Sequence, residues 1–140
     1  MVEVKDPDNN ARVRATWALA VADKDRTARV FYSNLFRLDG TTKPLFQGDM
    51  ELQGRKLMQT LSFIVDHLED MDVLVPAARD LAINHVGYGV TADQYGSVGT
   101  ALIETLRQLL GSSFSREDER AWADTYGTLA DVMIGAAYST

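Results

Sequence analysis

Three polar side chains stand where a helical pattern calls for apolar ones: Tyr32, Gln53 and His85. In the stretch LVPAARDLAINHVGYGV, Leu74 to Val90, helix after Pro76 puts Ala78, Leu81, Ala82 and His85 on one face. Tyr32 falls on a stripe with Ala28, Phe31 and Leu35, and Gln53 one turn before Leu57. An unpartnered buried hydroxyl, amide or imidazole costs about 1–3 kcal/mol, so such groups find partners. A histidine on an apolar stripe is, in isolation, best read as a satisfied core residue. A tyrosine there is usually core, and a glutamine often lies at a rim. Together, with Phe46 in a tight corner between them, the three favour a common pocket.

The alternative for His85 is a metal ligand, imidazole being the commonest neutral one. Scarcity limits the metal chemistry. Cysteine is absent, and the only histidines are His67 and His85. His67 is fourteen residues after Gln53, about 21 Å along a straight helix, too far to share its site. A lone protein ligand makes sense if the metal arrives with its other ligands, as haem iron does with four porphyrin nitrogens.

The elements that must position these residues all carry helical spacing. The pattern predicts helices over about 7–22, 26–38, 50–68, the His85 segment after Pro76, 92–110 and 115–137. Asp6-Pro7 reads as a cap with proline at the first helical position, Asp49 as a cap, and Thr91-Ala92-Asp93-Gln94 as a capping box. Gly111 ends the fifth helix, and Ser115 caps the sixth. Glu69-Asp70-Met71-Asp72 reads as a polar connection, and Asp39 to Phe46 as a stop followed by a turn. No stretch alternates with period two. The expectation is an all-α chain of six longer helices.

With 140 residues, a single domain spanning 1–140 is expected, large enough for a real core. The net charge of −6 argues against a nucleic-acid groove and against an anionic membrane surface. The polar N-terminus lacks the apolar stretch of a signal peptide, and no apolar run approaches a membrane span. A cytoplasmic location, with no nucleic acid and no membrane insertion, is the expectation.

Ordered along the chain are FYSNLF at 31–36, PLF at 44–46, QGRKLM at 53–58, His85 followed by YGV, Tyr95 with VG at 98–99, and AW, Tyr126 and ADVM between 121 and 133. In this order and spacing the chain resembles a globin, specifically a single-domain bacterial haemoglobin of the flavohaemoglobin lineage. Trp17 also falls where the first globin helix commonly carries tryptophan. The resemblance implies the globin fold, helices packed around a haem pocket, and haem b (iron protoporphyrin IX) as cofactor.

It further implies roles. His85 is the proximal haem ligand, and Phe46 packs on the haem. Tyr32 and Gln53 are the distal pair facing the gas, with Leu57 as apolar neighbour. Leu81, Val90, Tyr95 and Val98 line the proximal side. Lys56 is either a partner for a haem propionate or a solvated lysine. In the lineage a tyrosine and a glutamate of the last helix support the histidine; Tyr126 fits the tyrosine, while Ala137 stands at the glutamate position. Without that carboxylate, His85 should push less electron density to iron, which disfavours peroxidase-like chemistry.

Two donors facing a diatomic ligand, each worth about 0.5–1.5 kcal/mol, could slow O₂ release by roughly tens to hundreds of times. CO, less polar when bound, gains less. The expected function is high-affinity binding of O₂ and other diatomics, NO and CO among them. Storage, delivery or transport, and NO detoxification are all compatible with it. NO dioxygenation is the expected catalytic role, and since the sequence ends at Thr140 it would draw electrons from a separate reductase. The alternative is a globin-fold gas sensor or interaction module without turnover. Monomer and homodimer are both compatible with the lineage.

Overall fold

The computed structural model describes residues 7–46, 48–87 and 91–138, and at 7, 8, 85–87, 92 and 136–138 the backbone alone. Six α-helices follow one another: α1 (Pro7–Ala20), α2 (Lys24–Leu38), α3 (Met50–Asp66), α4 (Met71–Gly87), α5 (Ala92–Leu110) and α6 (Arg116–Tyr138). Short 3₁₀ turns occupy Val21–Asp23, Gly40–Leu45 and Gly111–Ser113, and the described residues include no strand.

Local chemistry sets most of the boundaries. The Asp49 carboxylate accepts from the Glu51 and Leu52 amides and starts α3. Ser115 and Asp118 cap α6 reciprocally, each side chain accepting from the other's amide at 3.0 Å. Gly111, at φ +52°, stops α5, a conformation that an L side chain rarely adopts. The predicted Asp6 cap lies outside the described residues.

Two expectations shift. The first helix ends at Ala20, with Asp23 then capping α2 through the Arg26 amide. Helix α4 begins at Met71, five residues before Pro76, where the sequence suggested a polar connection. Pro76 brings no N–H to the turn before it, but Asp72, whose carbonyl would have received that bond, is exposed to water.

Packing pairs α2 with α5 and α3, α1 with α6, and α4 with α6. Two tryptophans lock α1 to α6, their rings 5.9 Å apart. Trp122 donates to the Thr16 hydroxyl at 2.7 Å, and Trp17 to Ser62 on α3 at 3.0 Å, so both indoles are satisfied inside the core. Val13, Leu35 and Leu106 are fully buried at the centre. Asn34 ties α2 to α5 by donating to Thr105 and Gln108 at 3.2 and 2.7 Å.

Helix α3 carries two apolar faces rather than the one stripe expected. Gly54, Met58 and Val65 are buried, whereas Leu57 and Leu61 are half-buried beside them. Gln53 belongs to the half-buried face, at offsets of four and eight from Leu57 and Leu61. Among the described residues α3 and α4, though consecutive, share no extensive contact.

Candidate functional site

Tyr32 is the centre of an aromatic cluster at the junction of α2, α3 and the corner that follows α2. Its ring meets Phe31 edge-on at 5.5 Å, stacks near Phe36 at 5.9 Å and meets Phe46 edge-on at 5.1 Å. Phe36 and Phe46 are themselves 5.7 Å apart. Offset and edge-on rings at these distances are the favoured aromatic geometries. The corner comes from the turn Gly40–Leu45, started by Asp39 and closed by the Phe46 amide donating to Lys43.

Gly54 makes this junction possible. A Cβ there would stand 3.1 Å from the Ala28 Cβ and 3.8 Å from the Tyr32 ring. The backbones of α2 and α3 can therefore approach closely, and Gln53, the residue before Gly54, is carried to the same crossing. Sequence reasoning missed Gly54. Its only trace was a glycine four residues before the apolar Met58.

Burial drives the Tyr32 pKa up to about 12, so the phenol stays protonated over the whole ordinary pH range. Among the described residues none takes its hydroxyl proton. Tyr32 is thus a neutral phenol packed among three aromatic rings. Leu57, one turn after Gln53, is half-buried, and Lys56 is exposed.

Helix α4 carries further predicted site residues. The α4 backbone carries His85 in its last turn, and its side chain lies outside the described residues, as does Val90. The stripe it belongs to has the expected register: Ala78 and Ala82 are buried and Leu81 is half-buried. Ala78 and Ala82 share one apolar cluster with Tyr95 and Met133. The tyrosine that accompanies the His85 stripe is therefore Tyr95, at the start of α5. Val98, one turn on, is half-buried.

Tyr126 stands behind Tyr95. Its hydroxyl donates to the Tyr95 backbone carbonyl at 2.6 Å, and desolvation followed by the Tyr95 phenol raises its pKa. Its ring lies against the backbone of Gly99, where an added Cβ would come within 2.6 Å of the ring. Gly99 thus lets α5 and α6 close around Tyr126. The Ala137 side chain lies outside the described residues.

His67 is at the far end of α3 from Gln53. Its Nδ1 is 2.7 Å from the Phe63 carbonyl, in a local helix-end contact away from the junction. Among the described residues no three His, Cys, Asp or Glu side chains converge as a metal site. Between α3, α4 and α6 lies a separate apolar cavity of about 20 Å³, lined by Ile64, Leu74, Ala78 and Leu129, with room for about one water. No helix among the described residues is long and apolar enough to cross a membrane.

Comparison with known proteins agrees with this arrangement. The family model described as Globin matches residues 29–133. A flavohemoprotein of Bordetella parapertussis is 31% identical over 132 residues, covering 92% of this chain and 33% of its own length. One from Chromobacterium violaceum is 33% identical over 109 residues, 75% of this chain and 27% of its own. The globin-2 B chain of Anadara inaequivalvis is 28% identical over 131 residues, 86% of this chain and 87% of its own. The chain spans about a third of the length of the flavohemoproteins it matches. With six helices in the expected order, and with the family model covering most of its length, the chain belongs to the globin family and has the globin fold.

Proposed function

We propose that the chain holds haem b between α3 and α4 and uses it to bind O₂ and other diatomic gases, NO and CO included. The observation that carries the reading is Tyr32: a neutral phenol, packed on three aromatic rings, whose hydroxyl proton is taken by no described residue. The residues present fit the group. Leu57 and Leu61 on α3, Leu81 on α4 and Val98 on α5 are half-buried apolar side chains at the edge of the main core. A flat apolar ring between the helices would complete their burial, at about 25 cal/mol per Å². The donor set also fits: one imidazole on the α4 stripe, and hydroxyl and amide donors on the opposite wall.

Haem, when bound, supplies an iron with one position open to a gas and the one-electron chemistry that NO dioxygenation requires. The protein's part is to hold and shield. His85 is the proposed iron ligand. Phe46 packs on the macrocycle, and Leu57, Leu81, Val90, Tyr95 and Val98 keep water from it. Tyr32 and Gln53 donate to the gas; each such bond is worth about 0.5–1.5 kcal/mol, and more in a dry pocket. Tyr126 supports this wall by holding Tyr95 in place. Lys56, exposed on α3, would pair with a propionate carboxylate. NO dioxygenation, which would join O₂ and NO as nitrate at the cost of one electron per turn, would be chemistry supplied by the haem, with the electron coming in our reading from a separate reductase. The flavohemoprotein relatives support that assignment only by similarity.

Titration of the purified protein with haemin tests the reading. The expected result is a one-to-one complex with a Soret band that His85→Ala largely loses. A wild-type protein that stays colourless with haemin in excess contradicts it.

A further inference from the structure

The Thr91–Gln94 pair has one feature that a capping box does not need. The cap uses only the amide oxygen: the Thr91 N–H donates to Gln94 Oε1 at 2.9 Å. The NH₂ end of such a glutamine is ordinarily solvated. Here Gln94 is buried, 7% exposed, and its Nε2 donates to the Thr41 carbonyl at 3.3 Å and to the Thr41 hydroxyl at 3.1 Å, 53 positions away in the chain. Thr41 in turn gives its amide and its hydroxyl to the Asp39 carboxylate. The other Asp39 oxygen accepts from Ser97, one turn after Gln94 on α5, at 2.7 Å. Thr42, 1% exposed, closes the group by donating to the Asp39 carbonyl at 2.7 Å. The turn that presents Phe46 is therefore fastened at two points to the first turns of α5, the helix that begins five residues after the His85-bearing α4.

We propose that Gln94 is a positioning residue: one side-chain amide fixes the start of α5 with one end and the Phe46 corner with the other, so that the two walls of the site hold a common register. Ser97 and Asp39 form the second, parallel fastening. The proposal rests on the reading of Phe46 and His85 as opposite walls of a haem site. Its consequence is that the gas-release rate depends on a residue that touches neither haem nor gas.

The test is amide hydrogen exchange on the haem-free chain, then O₂ release from the haem-loaded chain, for wild type, Gln94→Leu and Gln94→Glu. Gln94→Glu keeps an oxygen for the Thr91 amide but has no hydrogen to give Thr41. We expect it to quicken exchange at the Thr42 and Phe46 amides by about tenfold while the Thr91 amide and those around Trp17 and Trp122 keep wild-type rates. Gln94→Leu is expected to quicken Thr91 as well. Both variants are expected to change O₂ release by about threefold or more. Wild-type exchange at Thr42 and Phe46 in both variants would show a cap and nothing else. Loosened corner amides with unchanged O₂ release would show a fastening that does not reach the site; either result overturns the proposal. Failure of the wild-type chain to take haem is a separate outcome: it removes the gas-binding reading, and with it the positioning role, whatever the exchange pattern.

Discussion

Tyr32 and Tyr126 are both inward-facing tyrosines of the helical core, Tyr32 buried and Tyr126 half-buried. Each lies on the inner stripe of its helix, and each has a pKa raised by desolvation. They differ in where the hydroxyl goes. Tyr126 spends its proton on the Tyr95 carbonyl at 2.6 Å, joining α6 to α5. Tyr32 is held by Phe31, Phe36 and Phe46, and no described residue takes its proton. One tyrosine is fixed by its oxygen and builds the frame. The other is packed among three rings, and in the proposed function its oxygen is the one that meets the bound gas. The direction of the pKa shift is the same in both; the hydrogen-bonding of the hydroxyl is what differs.

The comparison breaks most severely at the glycine beneath Tyr126. Gly99→Ala would set a Cβ 2.6 Å from the Tyr126 ring, which is held in place by its own hydrogen bond to Tyr95. A loss of about 1–3 kcal/mol in denaturant unfolding is expected. Wild-type stability would mean that the α5–α6 contact is not as close as described. Removing the Tyr126 oxygen is milder. Tyr126→Phe removes one of the hydrogen bonds to the Tyr95 carbonyl and should cost about 1 kcal/mol, with O₂ release changed by about twofold or less.

A further effect lies on the alkaline side. The folded Tyr32 pKa of about 12 lies above the ordinary 10. The folded state thus favours the protonated phenol, a stabilisation fully present below pH 10 and lost as pH rises towards about 12. Stability should fall over that interval less steeply in Tyr32→Phe than in wild type. Identical alkaline profiles would place the Tyr32 ring in a more solvated setting.

What could be read from the sequence was local or periodic. Asp49, Thr91, Gly111 and Ser115 mark helix ends because a cap is written within four residues. Tyr32, Gln53 and His85 stood out because each is polar on an apolar stripe. Contacts made by other helices were not legible. Gly54 and Gly99 look alike in the sequence, but one admits Ala28 and the other Tyr126, partners set by tertiary packing. The second face of α3 was hidden because Gly54 and Met58 follow a weaker pattern than Leu57, Leu61 and Ile64. Half of the Gln94 amide was legible as a cap; the half that reaches Thr41 required the fold. Pro76 suggested a helix start that Met71 pre-empts, since an exposed turn tolerates the missing bond.

The distinction between the two tyrosines is tested most directly by O₂ dissociation from the haem-loaded chain, followed by stopped flow for wild type, Tyr32→Phe and Tyr126→Phe. Release is expected to be faster by about tenfold in Tyr32→Phe, the loss of one donor worth about 1.4 kcal/mol, and to change by no more than about twofold in Tyr126→Phe, which loosens the wall without removing a donor. A wild-type rate in Tyr32→Phe, or equal acceleration in both variants, would contradict the distinction.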